Sequence, residues 1–243
     1  GVAPSPVTAL LHAAVLVKIG VFVFARVFVG NLTLEPIWEQ ALPLVVAFST
    51  LVAGGAALVE KDIKRIIAYS TVSQLAFIFL GLFAKSRLAV AGALLYILMH
   101  GLAKAGLFLC AGIVEHNIHT KDISKMGGLI KTMPITAFSF AFCALSVMGI
   151  PPFGGFFSKY MVIAGAVEGG NPWIAGTFIL SAFLTVLYLI RVFAIVFLGE
   201  PKLSDTKEGT TGMLWAVAIL AGLSLLSGFL IRYPNEFIQM AVR

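Results

Sequence analysis

Three lysines, Lys18, Lys104 and Lys159, stand several turns inside apolar runs of this sequence, and two histidines, His12 and His100, share those surroundings. A charged side chain at the centre of a bilayer costs about 2.5–3.5 kcal/mol on insertion scales, so such residues mark ion paths, proton relays or counter-ions. Amines and imidazoles do one simple piece of chemistry in such a place: they take up and release a proton. His100 precedes Lys104 by four residues, which on a helix puts both side chains on one face. Burial in a low dielectric and a neighbouring imidazolium both oppose a fixed ammonium charge, the condition under which a proton can come and go, and histidine is the natural relay partner near neutral pH. His12 and Lys18 are six residues apart, a rotation of about 240° on an ideal helix, so a relay between them needs water or a helix irregularity.

The acids are placed differently. Glu60, Asp62, Glu115 and Glu168 all fall near the ends of apolar runs, and no carboxylate falls mid-run to neutralise the lysines. Lys64 and Arg65, at a run end, are expected to snorkel to the interface. The absence of mid-run acids weakens a self-contained sodium site, although serines, threonines and carbonyls are also oxygen ligands. Cys110 and Cys143 sit singly in apolar runs, so no metal motif is expected.

The elements that must position these groups follow from composition. Hydrophobic residues make up 60% of the 243 and charged residues 12%, with a mean hydropathy of +1.02. A soluble domain carries about a quarter charged residues. Apolar runs such as Leu88 to Val114 are long enough to cross a bilayer of about 30 Å as helices, and the alternation of a transmembrane barrel is missing. The fold class expected is therefore all-α, a polytopic membrane bundle of about seven helices at about 6–29, 37–59, 64–84, 88–115, 134–167, 172–199 and 212–231. Asp62 suits an N-cap, Pro134 and Pro172 suit first turns, and Gly30 and Gly199 suit helix ends. The net charge of +6 is scattered over short loops, which argues against nucleic acid and for topology signals. Simple alternation puts Lys61, Lys64, Arg65, Lys121, Lys125, Lys131, Lys202 and Lys207 on one side. The other side receives Arg26, Lys85, Arg87, Arg232 and Arg243, so the chain start is expected in the cytoplasm and its end outside.

One span is too long. Residues 134–167 as a single helix would measure about 51 Å, and near its middle lies Gly149-Ile150-Pro151-Pro152-Phe153-Gly154-Gly155. Two prolines remove N–H donors and the glycines permit non-helical backbone. Two half-helices joined by an unwound loop are expected, with Pro151, Pro152, Gly154 and Gly155 in the break; the alternative is a kinked or re-entrant packing helix. Interruptions at membrane depth persist where they are buried in protein or line a wet cavity, as at the ion sites of transporters. Lys159 follows the break, either at the positive end of the second half-helix or reaching back to the negative end of the first. The chain opens without an initiator methionine or a signal-like start, so sequence upstream of Gly1 is expected.

Several segments resemble a known family. Ser5-Pro6-Val7-Thr8-Ala9-Leu10-Leu11-His12-Ala13-Ala14, Asp62-Ile63-Lys64-Arg65-Ile66-Ile67-Ala68-Tyr69-Ser70-Thr71-Val72-Ser73-Gln74, His100-Gly101-Leu102-Ala103-Lys104-Ala105-Gly106-Leu107-Phe108-Leu109 and Gly155-Phe156-Phe157-Ser158-Lys159 resemble signatures of the antiporter-like subunits of respiratory complex I. The same subunit type occurs in multisubunit Mrp cation/proton antiporters and in membrane-bound energy-converting hydrogenases. The resemblance covers essentially the whole chain but only the second half of a typical member, which contains two inverted five-helix repeats, each with one broken helix and a proton half-channel. It implies that residues 1–30 are the last helix of the first repeat, 31–200 the second repeat with its discontinuous helix at 134–167, and 201–243 a C-terminal membrane helix. It also implies that Lys104 is the central channel lysine beside His100, Lys159 the outlet residue and Lys18 a lysine of the linking helix. The family's first-repeat glutamate–lysine pair lies upstream of Gly1, and Tyr160 stands where some members carry an acid.

The expected function is thus a proton, or Na+/H+, translocating subunit, not an enzyme by itself and without cofactor. Its partners would be other membrane subunits of a complex I-like, hydrogenase-like or Mrp-type assembly in a prokaryotic cell membrane. A haem held by His12 and His100 and a purely structural membrane spacer are the alternatives.

Overall fold

The computed structural model describes residues 4–14, 16–29, 35–202 and 207–241. The first apolar stretch, Ser5–Phe28, consists of α1 (Ser5–Thr8), a π-helical turn at Ala9–Ala14, α2 (Leu16–Phe24) and a second π turn at Ala25–Val29. It is followed by α3 (Pro36–Val59), α4 (Ile63–Phe83) and α5 (Arg87–Ile118). Beyond the loop 119–133 come α6 (Pro134–Met148), α7 (Gly154–Glu168) and α8 (Pro172–Phe193), which a π turn extends through Leu198. The last described elements are α9 (Thr211–Phe229) and α10 (Arg232–Ala241). Six stretches among the described residues are long and apolar enough to cross a membrane, and α6 is a shorter apolar helix whose continuation is α7. The protein is a multi-pass all-α membrane bundle.

Local chemistry sets the helix ends. Asp62 caps α4 by accepting the backbone N–H groups of Lys64 and Arg65 at 2.9 and 3.2 Å, and Ser86 accepts that of Leu88 at the start of α5. Pro36, Pro134 and Pro172 occupy first turns, where a missing N–H costs nothing. Gly30 lies outside the described residues. The expected fifth span is two helices: α6 ends at Gly149, whose φ of 83° only glycine adopts freely, with the N–H of Gly149 and of Ile150 both bonded to Leu145 O. The link 150–153 contains a cis Pro151–Pro152 bond, and α7 starts at Gly154. At Gly155 a side chain would run into the Ser146 carbonyl, so the two half-helices approach each other there as backbone against backbone.

The bundle is layered along its helices. One apolar cluster gathers Ile63, Ile66, Leu107, Phe108, Phe140, Val192 and Phe197; a second gathers Phe77, Leu80, Leu95, Val162 and Phe178. Between them α4 contributes Ser70, Ser73 and Gln74, α5 contributes His100 and Lys104, and α8 contributes Ser181 and Thr185, all buried. Each of these helices therefore reads apolar, polar, apolar, and the break between α6 and α7 falls at the same transition. Outside the bundle, Phe48, Val59, Phe183 and Trp215 are exposed, the inverse of a soluble surface and the surface a lipid phase requires.

Helix α5 packs against α4, α6, α7 and α9, and its contact with α7 is close because Gly165 lies on the Ala89 backbone. A Cβ at Gly165 would sit 2.8 Å from Ala89 Cα. Gly165→Val is therefore expected to destabilise the protein by about 1–3 kcal/mol, measured as a lower thermal unfolding midpoint in detergent.

Candidate functional site

The polar layer is built on one face of α5. Tyr96, His100 and Lys104 follow one another at four-residue spacing, and all three are fully buried. The Lys104 amine donates to Ile67 O at 3.3 Å and closely to Ser70 Oγ, both on α4. Ser70 in turn donates to Ile67 O at 2.7 Å. No carboxylate is bonded to Lys104 among the described residues, so its immediate partners are a hydroxyl and a carbonyl dipole. Neither ring nitrogen of His100 has a hydrogen-bond partner among the described residues, and its ring lies 5.5 Å from that of Tyr96.

From Tyr96 the layer continues across α4 and α8. The Tyr96 hydroxyl donates to Gln74 Oε1 at 2.5 Å, Gln74 Nε2 donates to Thr185 Oγ1 at 2.9 Å, and the Tyr188 hydroxyl reaches the same Thr185 oxygen at 3.3 Å. A separate knot of Thr50, Ser73 and Ser181, with hydroxyls 2.9–3.3 Å apart, ties α3 to α4 and α8. Interhelical hydroxyl bonds of this kind hold membrane helices together where burial of apolar surface supplies no net force.

Lys159 reaches the layer from α7. Its amine has no hydrogen-bond partner among the described residues and sits over the rings of Phe77 and Tyr96, 5.1 and 5.5 Å from their centroids. Its stem passes Gly149, at the C-terminal end of α6, where an added Cβ would lie 2.9 Å from Lys159 Cδ, while the amine bonds no carbonyl there among the described residues. Tyr96 thus connects His100 to Lys159, and the three lie in one continuous patch. Lys18 is 5% exposed on α2, in the first stretch. The π turn Ala9–Ala14 supplies the helix irregularity that a His12–Lys18 relay needs, but the His12 side chain lies outside the described residues.

Lys64 departs from the interfacial placement that its position at a run end implies. Arg65 is exposed as expected, but Lys64 is 2% exposed and forms a close ion pair with Glu115. Lys121 meets the other oxygen of Glu115 at 3.4 Å. Helix rotation decides this: in the first turn of α4 Lys64 faces Glu115 on α5 while Arg65, one residue on, faces outward. Nearby, N–H bonds from Asp62 and Lys61 hold the Glu60 carboxyl below the usual carboxylate range.

Tyr96, Gln74, Ser70, Thr185 and Tyr188 are uncharged and do not stand out in the sequence as the lysines do. A signal exists for the first three: Tyr96 precedes His100 by four residues, and Ser70 and Gln74 are spaced by four on the helix whose Ile67 carbonyl meets Lys104.

Buried lysines and a helix broken at their depth are features this bundle shares with a class of membrane proteins that carry ions. Within it, residues 1–185 match the family model described as "NADH:quinone oxidoreductase/Mrp antiporter, TM", and the chain belongs to that family. It is 34% identical over 229 residues to a Na(+)/H(+) antiporter subunit of Alkalihalophilus pseudofirmus, covering 93% of this chain and 46% of that protein. It is 38% identical over 238 residues to an NADH-quinone oxidoreductase subunit of Escherichia coli, covering 96% and 38%. Among solved structures, one from the Mrp complex of Dietzia sp. superposes with a TM-score of 0.89 at 22% identity, over 98% of this chain and 53% of that one. Another, from respiratory complex I of Thermus thermophilus, superposes with a TM-score of 0.84 at 27% identity, over 98% and 51%. The chain thus spans less than half of these two curated relatives and about half of the matched solved chains.

Tyr96→Phe removes the hydroxyl that donates to Gln74 Oε1 and leaves that oxygen unsatisfied in the polar layer. The expected cost is about 1–3 kcal/mol, read as a lowered unfolding midpoint in detergent, with Tyr96→Leu lower still.

Proposed function

We propose that this chain is the second-repeat half of an antiporter-like subunit that moves protons across the membrane inside a multisubunit complex, of the complex I, hydrogenase or Mrp type. The observation that carries the reading is Lys104. An amine fully buried at the middle of the bundle, bonded to neutral oxygens and not paired with a carboxylate among the described residues, is a group that can hold a proton and give it up. His100 beside it and Tyr96 beyond it lead to Lys159, which would receive the proton next to the broken helix. Lys18, and His12 with it, would hand protons on toward the first repeat. The resemblance of Pro151, Pro152, Gly154 and Gly155 to the family's second broken helix supports assigning 31–200 to the second repeat, 1–30 to the last helix of the first, and 201–243 to the C-terminal helix.

The layer favours H+ over Na+ as the ion at Lys104. Its charged groups are cationic, and its hydroxyls already bond one another or helix carbonyls. Na+ coupling, where present, would then belong to the upstream half or to partner subunits. The energy would come from redox chemistry or ion exchange in those partners, placed in a prokaryotic cell membrane.

Lys104→Ala in the complete complex is expected to abolish ion pumping, at least a tenfold loss in vesicle pH-gradient assays, while the complex still assembles. A correctly assembled variant that forms normal gradients overturns the reading. Counting the broken helix as one crossing gives seven, an odd number, and the basic-residue bias of eight against five supports a chain start in the cytoplasm. Cysteines introduced in the 60–62 and 119–133 loops are therefore expected to be labelled from the cytoplasmic side, and one at Lys85 from the opposite side. The reverse pattern overturns the start-inside orientation.

A further inference from the structure

A cavity of about 1370 Å³ opens between the start of α1, the C-terminal end of α5 and the start of α9. Its mouth carries Glu60, Asp62, Asp122, Lys61 and Lys121 together with His116, a mixture of both charge signs that suits water better than an anionic or a cationic ligand. Its inner wall runs along α5 past Gly112 and Ile113 to Leu109, five residues and about 7.5 Å along the helix from Lys104. Both members of the Lys64–Glu115 pair line it. Glu115 is 25% exposed and therefore wet, whereas Lys64 is buried, so the pair stands across the boundary between cavity and protein. Lys64 is also only three residues before Ile67, whose carbonyl accepts from the Lys104 amine.

A half-buried ion pair of this kind is poorly explained by stability alone, because desolvating the Lys64 ammonium offsets much of the attraction. Nor does it serve as an ordinary interfacial anchor, since Lys121 and Arg65 already supply solvent-facing cations at that end. What the pair does supply is a partly exposed carboxylate facing the cavity and a buried amine behind it.

We propose that the Lys64–Glu115 pair is the proton-loading site through which Lys104 exchanges protons with the aqueous phase on the side of the 60–62 and 119–122 loops. The site rests on the proposed proton-carrying role of Lys104. Lys64 gives up its proton inward, toward a neutral Lys104 amine. Glu115, protonated from hydronium in the cavity, then passes its proton to the neutral Lys64 amine and returns to the carboxylate, so that one proton enters and the pair is regenerated. Ser5 Oγ, 3.5 Å from Glu115, and Lys121 hold the carboxylate toward the cavity.

The test uses the complete subunit in its assembled complex. Leu109→Cys is expected to react with a membrane-impermeant thiol reagent at least tenfold faster than the parent, whose Cys110 and Cys143 are fully buried, and to react from the side of the Lys61 and Lys121 loops. Glu115→Gln, which keeps a hydrogen-bond partner for Lys64 but cannot carry a proton, is expected to slow proton transport at least tenfold. Formate supplied from the same side is expected to restore part of the rate in Glu115→Ala. Parental transport in Glu115→Gln, an unreactive Leu109→Cys, or a loss that formate does not relieve overturns the loading site. If Lys104→Ala also transports normally, the proton-translocation reading itself falls; if Lys104→Ala is inactive while Glu115→Gln is not, the loading site alone falls.

Discussion

The structure is organised around the cost of placing an amine at the centre of a membrane protein. In hydrocarbon Lys104 would be intolerable as a cation, and even within protein it needs acceptors arranged about it. The answer is a layer of neutral dipoles: the Ser70 hydroxyl and Ile67 carbonyl at the amine, and Tyr96, Gln74, Thr185 and Tyr188 around it. Because these groups belong to α4, α5 and α8, one requirement bears on the register of all three helices, and apolar clusters flank the layer on either side.

The broken helix satisfies the same requirement from the other side. A continuous helix at 134–167 would present lipid-like side chains at the level of the layer and would leave its carbonyls bonded within the helix. The interruption brings the stem of Lys159 past the end of α6, so that its amine lies over Phe77 and Tyr96. Cation–π contact is a modest interaction. It holds the amine in the layer without a carboxylate bonded to it among the described residues.

The ion pair of Lys64 and Glu115 shows the contrasting use of a lysine. There a full countercharge is present, the site borders a cavity, and Lys121 adds a second cation to the same carboxylate. Lys64 and Lys104 lie on neighbouring helices and face the same α4–α5 contact, yet one is paired with a carboxylate and the other bonds only neutral oxygens. That difference in partners gives the bundle a direction, from a wet, charge-balanced end to a dry, polar middle.

Composition and local spacing were enough to establish a helical membrane protein, the place of the break in its fifth span, and the fact that Lys104, His100 and Lys159 are out of place in lipid. Those conclusions rest on local quantities: run length, the chemistry of proline and glycine, and the energy of charge in hydrocarbon. The i, i+4 spacing likewise puts His100 and Lys104 on one face without knowledge of any contact. Helix packing settled the rest: Lys64 turns inward to Glu115 while Arg65 turns out, Lys159 reaches back past Gly149, and Tyr96 links the two halves of the site. These depend on how helices rotate against one another, and a hydrophobic run with little amphipathic bias does not encode which of its faces meets lipid and which meets its neighbour.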